Sequence, residues 1–547
     1  MVPKRLLPPL VAFLLAMSAV PGTATSKEAG GPVAKVACAI PHDWLLRIWR
    51  GYRPDRGAEI QILPKEPNFV GSGLPHVGPW PYVQDVPMLW YGPGYIKPGV
   101  TVNRRVDLTD IAPTQSQLLN FDQFHPIDGK PLSEALVPAS QRATPPKLIV
   151  TLVWDAGGMN VLNQWPHSWP NLKHLIPKGT WYSNATVGSS PTSTAQDHAS
   201  IGTGDYPMHS GIIAHHVRLG NVIEGPFTHG PGLLNEPTLA DLYDHAMGDR
   251  SVVGEMATVN IHLGMLGHGA MWAQSDKDPV VLRTFAGPNA TEGQEGSEWN
   301  LPENLAPYYR FPSYVQDLPK LSAYTPAVDA SDGRRDGKWL GNDIHQLLGG
   351  FDTPARIPYE TKAIEAMIKR EGFGQDATPD MLFLNYKLID YVSHLWSMNS
   401  KEMESTVREQ DRDLPLFIDF LNRTVGKGQW AMVLTADHGA VPSPSVSGAF
   451  QIATVGVSSA INQKFDHDGD ATPLVTQVYQ TQIFINEQEL KRNHTTLSEI
   501  SQFTQGLTQK QTAAVGEAVP VPNQPVFQAV FPSVLMAQLP CLPEARQ

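Results

Sequence analysis

Four apolar runs set the hydropathy pattern of the chain: Val86 to Trp90, Lys147 to Trp154, Met381 to Tyr386 and Trp430 to Thr435. Apolar and polar positions do not alternate in them, which predicts strands buried on both faces, as in a parallel sheet. Helical periodicity lies between the runs. In Tyr359 to Arg370, Ile364 and Ile368 fall on one face and Gly372 supplies a stop; Glu404 to Leu421 carries a second helical pattern, interrupted at Pro415. Strands alternating with helices predict an α/β layered fold. Each run leads into polar residues, and open α/β sheets gather functional groups beyond the carboxyl ends of their strands. Asp155, Asp390 and the pair Asp437 and His438 become the first candidates. The stretch from Gln274 to Gly350 breaks the pattern. It is rich in Gly, Pro, Asn and acidic residues and reads as an insertion or cap beside the core.

Of the 547 residues, 41% are hydrophobic and 17% charged, enough apolar surface for a core and not the composition of a disordered chain. A formal charge of −12 gives no long-range attraction for nucleic acid or anionic lipid, so a polyanion-binding role is disfavoured. Lys4 and Arg5, the apolar run Leu10 to Val20 and the small and polar residues through Ser26 have the pattern of a secretory signal over residues 1–26. No later run reaches the roughly 20 apolar residues of a membrane helix. The expectation is an exported, soluble protein, periplasmic or extracellular, whose two cysteines, Cys38 and Cys541, meet an oxidising compartment.

His394 follows Asp390 by four positions, so the two share a helix face and can hold one ion together. With Asp155, Asp437 and His438 they make three carboxylates and two imidazoles, ligand types of borderline divalent metals, zinc above all. Any one of them alone reads equally well as a helix cap; five at strand ends make coincidence improbable. The hydroxyl-rich stretch Ser189 to Ile212 offers nucleophiles, although a single hydroxyl in such a loop is more often a turn or cap.

The segments DAGG, PTSTAQDHASIGTG, DYVSH and TADHG, in that order, resemble the alkaline phosphatase superfamily, most closely its type I phosphodiesterase and nucleotide pyrophosphatase branch. The resemblance covers most of Lys147 to Asn486 and implies an α/β/α sandwich. It also implies that Thr194 is the nucleophile. One zinc would be held by Asp155, Thr194, Asp437 and His438, the other by Asp390, His394 and a third histidine that in the family comes late in the chain.

That late block stands here at the front. The family continues after TADHG to a strand like Thr481 to Asn486 and a helix like Leu497 to Leu507, then to a His segment, a VP-strand, a GPG turn and DIAPT. In this chain the last four appear in LPHVGPWPYVQDVPMLWYGPGYIKPG from Leu74 and LTDIAPTQSQLLNF from Leu108. The resemblance therefore implies a circular permutation. Residues 38–137 would be the family's C-terminal portion, with 147–273 and 351–540 as the catalytic core around the insertion at 274–350. On that register His76 is the missing zinc ligand. The segments carrying Cys38 and Cys541 become neighbours, and a disulfide between them is implied.

Two zinc ions about 4 Å apart can bind both the attacking oxygen and a nonbridging phosphoryl oxygen of an in-line displacement, and coordination lowers the pKa of a hydroxyl such as that of Thr194. The resemblance implies a phosphothreonine intermediate. His215, in SGIIAHH, stands where the family usually places an Asn that donates to the phosphoryl group. Phosphomonoesterase members often add Lys or Arg in a segment that corresponds here to Ile261 to Ala273. That segment has neither, only His262 and His268. The expectation is a small-molecule phosphodiester or nucleotide-type substrate, with a phosphomonoesterase as the alternative and a catalytically inactive exported binding protein as the alternative of another class. Sulfate esters are disfavoured, since Thr194 sits in no CxPxR-like context.

Overall fold

The computed structural model describes residues 31–142, 144–283 and 299–546; the expected secretory signal lies outside the described residues. The principal strands are β1 (Ile60–Pro64), β2 (Asp85–Tyr91), β3 (Val100–Val102), β4 (Leu148–Trp154), β5 (Thr180–Thr186), β6 (Val253–Met256), β7 (Val280–Arg283), β8 (Trp299–Asn300), β9 (Asp380–Tyr386), β10 (Trp430–Thr435), β11 (Val475–Tyr479), β12 (Gln482–Ile485) and β13 (Phe527–Pro532). A ten-stranded sheet runs in the order β8-β7-β6-β9-β4-β10-β2-β5-β3, with the short Val106–Asp107 paired to β5. A four-stranded sheet runs β11-β12-β1-β13.

Every residue of β4 is buried, and it pairs in parallel with β9 on one side and β10 on the other. Its alternate side chains serve two cores, which is why the sequence shows no alternation. Leu148, Val150 and Leu152 pack in one core with residues of helices Arg356–Glu371 and Lys401–Leu421; Ile149 and Val153 pack in the other with residues of Ile111–Leu119 and Thr194–Thr203. In chain order these four helices, together with the one that carries Asp390 and His394, are α1 (Ile111–Leu119), α2 (Thr194–Thr203), α3 (Arg356–Glu371), α4 (Leu388–Trp396) and α5 (Lys401–Leu421). Each buried aliphatic side chain of this kind contributes about 1.5–3 kcal/mol.

Three details depart from the sequence reading. The run Val86 to Trp90 is buried as expected, but β2 pairs antiparallel with both β10 and β5; burial on both faces erases alternation whatever the strand direction. Helix α5 runs through Pro415 instead of breaking there. Proline leaves the carbonyl four residues earlier unpaired, and that of Asp411 accepts from Asn171 Nδ2 at 3.2 Å. The stretch 274–350 begins within the main sheet, since β7 pairs in parallel with β6 and β8 closes the edge.

The front of the chain is woven into both sheets: β1 lies between β12 and β13, β2 between β10 and β5. Cys38 and Cys541 form a disulfide with their Cα atoms 5.7 Å apart. Among the described residues no helix is long and apolar enough to cross a membrane.

Candidate active site

Strand register brings the functional segments to one edge. Trp154 pairs with Tyr386 and Val153 with Thr435, so β4, β9 and β10 end nearly level and release Asp155, Lys387 and the Asp437–His438 pair side by side. Because β2 is antiparallel, it starts at this edge, and the segment leading into it carries His76. Thr186 pairs with Asp85, so β5 also ends here, and its loop delivers Thr194 as the first residue of α2. Gly202 lets α2 sit tightly: a Cβ there would stand 2.3 Å from the carbonyl oxygen of Gly264.

Two donor sets converge. In the first, Asp390 Oδ1 lies 3.2 Å from His76 Nε2 and 3.3 Å from His394 Nε2. His394 Nδ1 hydrogen-bonds the Gly73 carbonyl, which leaves its Nε2 lone pair facing Asp390. Burial, followed by the neighbouring His438, pulls the His76 pKa down to about 4, which keeps the ring in the neutral form that ligates metals. In the second set, Asp437 Oδ1 accepts from the backbone N–H groups of Ala156 and His438 at 2.9 and 3.0 Å. Its Oδ2 faces His438 Nε2 at 3.1 Å, and Asp155 Oδ1 stands 3.8 Å from the same nitrogen. The sets adjoin, with the His76 and His438 rings stacked at 3.7 Å.

Asp390 Oδ1, Asp437 Oδ2 and His438 Nε2 are all buried without a hydrogen-bond partner. His76, Asp390 and His438, and likewise Asp155, Asp437 and His438, each bring ligand atoms within 4.8 Å of one another. Buried acceptors that face each other with no donor between them match a divalent cation, and mixed imidazole and carboxylate donors suit a borderline one. The donor chemistry fits the metals implied by the resemblance.

Lys387 escaped the sequence reading. Its Nζ lies 2.8 Å from Asp155 Oδ1, 2.9 Å from Asp390 Oδ2 and 2.7 Å from Thr194 Oγ1, linking the nucleophile candidate to one carboxylate of each set. Burial opposes the charge, but Asp155 and Asp390 outweigh it and hold the ammonium above the ordinary lysine range. Conversely, burial would raise the carboxyls of Asp155 and Asp390, yet Lys387 keeps both below the usual carboxylate range. Its signal in the sequence was a lone cation at the end of an apolar strand.

Asn385 and His198 were missed as well. Asn385 Nδ2 donates to Asp155 Oδ2 at 2.8 Å and lies 2.8 Å from His198 Nε2, while His198 Nδ1 meets the Thr194 carbonyl at 2.8 Å. This chain ties the first turn of α2 to Asp155. His262 Nε2 lies 3.3 Å from Asp155 Oδ2, inside the site. His268 instead bonds Asp241 at 2.8 Å and shapes its loop. His215 makes no hydrogen bond to Thr194; its buried Nε2 has no partner, and burial, then Lys387 and His76, pull its pKa down to about 3.

The chain belongs to the type I phosphodiesterase / nucleotide pyrophosphatase family, whose pattern matches residues 149–523. It is similar to the alkaline phosphatase PhoV of Synechococcus elongatus, 26% identical over 341 residues that make up 56% of this chain and 61% of that protein. The match thus spans less than two thirds of that relative. It is also similar to the alkaline phosphatase PafA of Elizabethkingia meningoseptica, 24% identical over 68% of this chain and 74% of the relative, and to a protein of Myroides odoratus named calcium-transporting ATPase, 23% identical over 65% and 72%. Superposition on the crystal structure of wild-type PafA gives a TM-score of 0.49 at 20% identity, over 70% of this chain and 84% of that one.

Proposed function

We propose that the protein is an exported, zinc-dependent phosphoric ester hydrolase that works through a phosphothreonine at Thr194. One observation carries the reading: two adjoining donor sets flank a hydroxyl that Lys387 ties to a carboxylate of each. His76, Asp390 and His394 would hold one ion; Asp155, Asp437, His438 and Thr194 would hold the other. When bound, such ions polarise phosphoryl oxygens and lower the pKa of a coordinated hydroxyl. Asp155, in turn held by Asn385, positions the Lys387 ammonium, which donates to Thr194 Oγ1 and favours its ionised form. Thr194 Oγ attacks phosphorus, a P–O bond to Thr194 forms and the bond to the leaving alcohol breaks; water then cleaves the phosphothreonine and restores the hydroxyl. His215 stands near this centre as a neutral imidazole able to donate to the phosphoryl group. Hydrolysis of aryl phosphate mono- and diesters by zinc-loaded protein, with acid-quenched peptides searched for phosphate on Thr194, tests the reading. No turnover of either ester, or a label elsewhere, overturns it.

The lack of Lys or Arg in Ile261 to Ala273 supports a diester substrate. A second reading, a phosphomonoesterase, is favoured by Lys387, which brings a buried ammonium to the nucleophile from another segment.

The circular permutation is part of the proposal. It is supported by His76 in the first donor set, by β1 and β2 inside the two sheets, and by the disulfide joining Cys38 to Cys541. A chain reopened between residues 137 and 147, with residue 541 linked to residue 38, should fold and retain the metal centre; failure to fold would count against it.

A further inference from the structure

After β10 the chain forms helix α6 (Thr454–Phe465), and its loop to β11 reads Asp466-His467-Asp468-Gly469-Asp470, three carboxylates at alternate positions. Helix α7 (Glu487–Arg492) follows β12 and packs against this loop. At its end, Asn493 Oδ1 accepts from the backbone N–H groups of His467 and Asp468 at 2.6 and 3.0 Å.

Glu489 of α7 is 0% exposed, and its Oε2 is buried without a hydrogen-bond partner. Its carboxylate and those of Asp466 and Asp468 bring ligand oxygens within 4.8 Å of one another. Arg492 is already used: it donates to Glu489 Oε1 at 2.7 Å and to Asp470 Oδ2 at 2.9 Å. One guanidinium thus faces Glu489 and Asp470, while the backbone N–H groups of Leu474 and Asp470 donate to Asp466 Oδ2 at 2.9 Å and Asp468 Oδ1 at 3.2 Å; Glu489 Oε2 is left without a donor. His467 Nε2 meets the Lys464 carbonyl at 2.9 Å and is turned to that bond. A buried carboxylate oxygen without a donor, in a group of four carboxylates that one guanidinium leaves largely unneutralised, is unfavourable unless a further cation completes it.

We propose that Asp466, Asp468 and Glu489 form a calcium site that fastens the α6–β11 loop to α7 on the four-stranded sheet. The donors are all carboxylate oxygens, which selects a hard cation, and calcium accepts six to eight oxygens at uneven angles where magnesium demands a near-ideal octahedron. Water completes the shell on the exposed side of Asp468. The site stands apart from the catalytic edge, and the proposal is independent of the hydrolase reading.

The test is isothermal titration of CaCl2 into the full-length protein kept in a fixed zinc concentration, so that the catalytic donors are filled. One calcium per chain is expected, with Kd on the order of 10⁻⁴–10⁻³ M, typical of extracellular calcium modules. Asp468→Asn, at an exposed position, and Glu489→Gln should each weaken binding at least about tenfold, whereas Asp244→Asn, in a different acidic cluster, should leave it unchanged. No calcium uptake by the wild type, or undiminished uptake by both Asp468→Asn and Glu489→Gln, overturns the site. Equal affinity for MgCl2 overturns the assignment to calcium.

Discussion

Lys387 Nζ stands 2.7 Å from Thr194 Oγ1 while touching Asp155 and Asp390, so the nucleophile candidate and both donor sets share one ammonium. A cation at that point acts on charge that builds on the phosphoryl group, and a monoester carries one more negative charge than a diester. Lys387→Met should therefore lower kcat/KM for an aryl phosphate monoester by about 10²-fold or more, the scale of losing one such electrostatic contact, and for the matching diester by about tenfold less. Equal losses on both esters would remove Lys387 from substrate discrimination.

Thr194→Ala removes the attacking oxygen but only one ligand of its set. Turnover should fall by at least about 10³-fold, with the zinc content per chain unchanged by mass spectrometry and no acid-stable phosphopeptide. A loss under tenfold would shift the nucleophile to Ser193 or Thr192.

His76→Ala should lower the bound zinc to about one per chain, because only Asp390 and His394 would remain in the first set. Two ions per chain in the variant would mean that His76 is a packing residue stacked on His438 and would weaken the permutation argument.

The disulfide encloses nearly the whole described chain. Replacing both Cys38 and Cys541 with Ser should cost about 2–5 kcal/mol of stability, seen as a lower Tm, while kcat at 25 °C changes less than about twofold, because the bond packs in a cluster with Val33, Leu45 and Leu539 that includes none of the donor residues. A normal Tm with lost activity would invert this assignment.

The central strands were legible because residues such as Leu148, Val150 and Ile149 must be apolar on both faces to fill two cores, and strand ends then pointed to Asp155, Asp390 and Asp437. Strand direction was not legible: β2 is as apolar as β4, and nothing local separates the two ladders. Pro415 misled for a similar reason, since its stranded carbonyl finds Asn171 only in three dimensions. Lys387 lay in plain sight between Tyr386 and Leu388, but a lone lysine carries no pattern until Asp155, from a strand more than 200 residues earlier, is set beside it. Ile261 to Ala273 holds no cation to grip a phosphoryl group, whereas the fold brings Lys387 to that place from another segment.

A last prediction concerns pH. Thr361 Oγ1 donates to Asp413 Oδ2 at 2.7 Å on α5. Burial pushes this carboxyl up to about 7, against that hydrogen bond and with help from Glu409 and Glu365. In the unfolded chain it titrates near 3.9. A folded pKa above the unfolded one means that the native state binds the proton more tightly. The stability this supplies is complete below about pH 4 and is lost as pH rises through about 7. Asp413→Asn keeps an oxygen for Thr361 and has no charge to bury. Its stability relative to the wild type should therefore increase by about 2–3 kcal/mol between pH 5 and pH 8, from the 1.36 kcal/mol per pKa unit of linkage. Guanidinium unfolding of both proteins at the two pH values, at constant zinc, measures the difference. If it stays constant, Asp413 is ionised in the native state throughout and the burial argument fails.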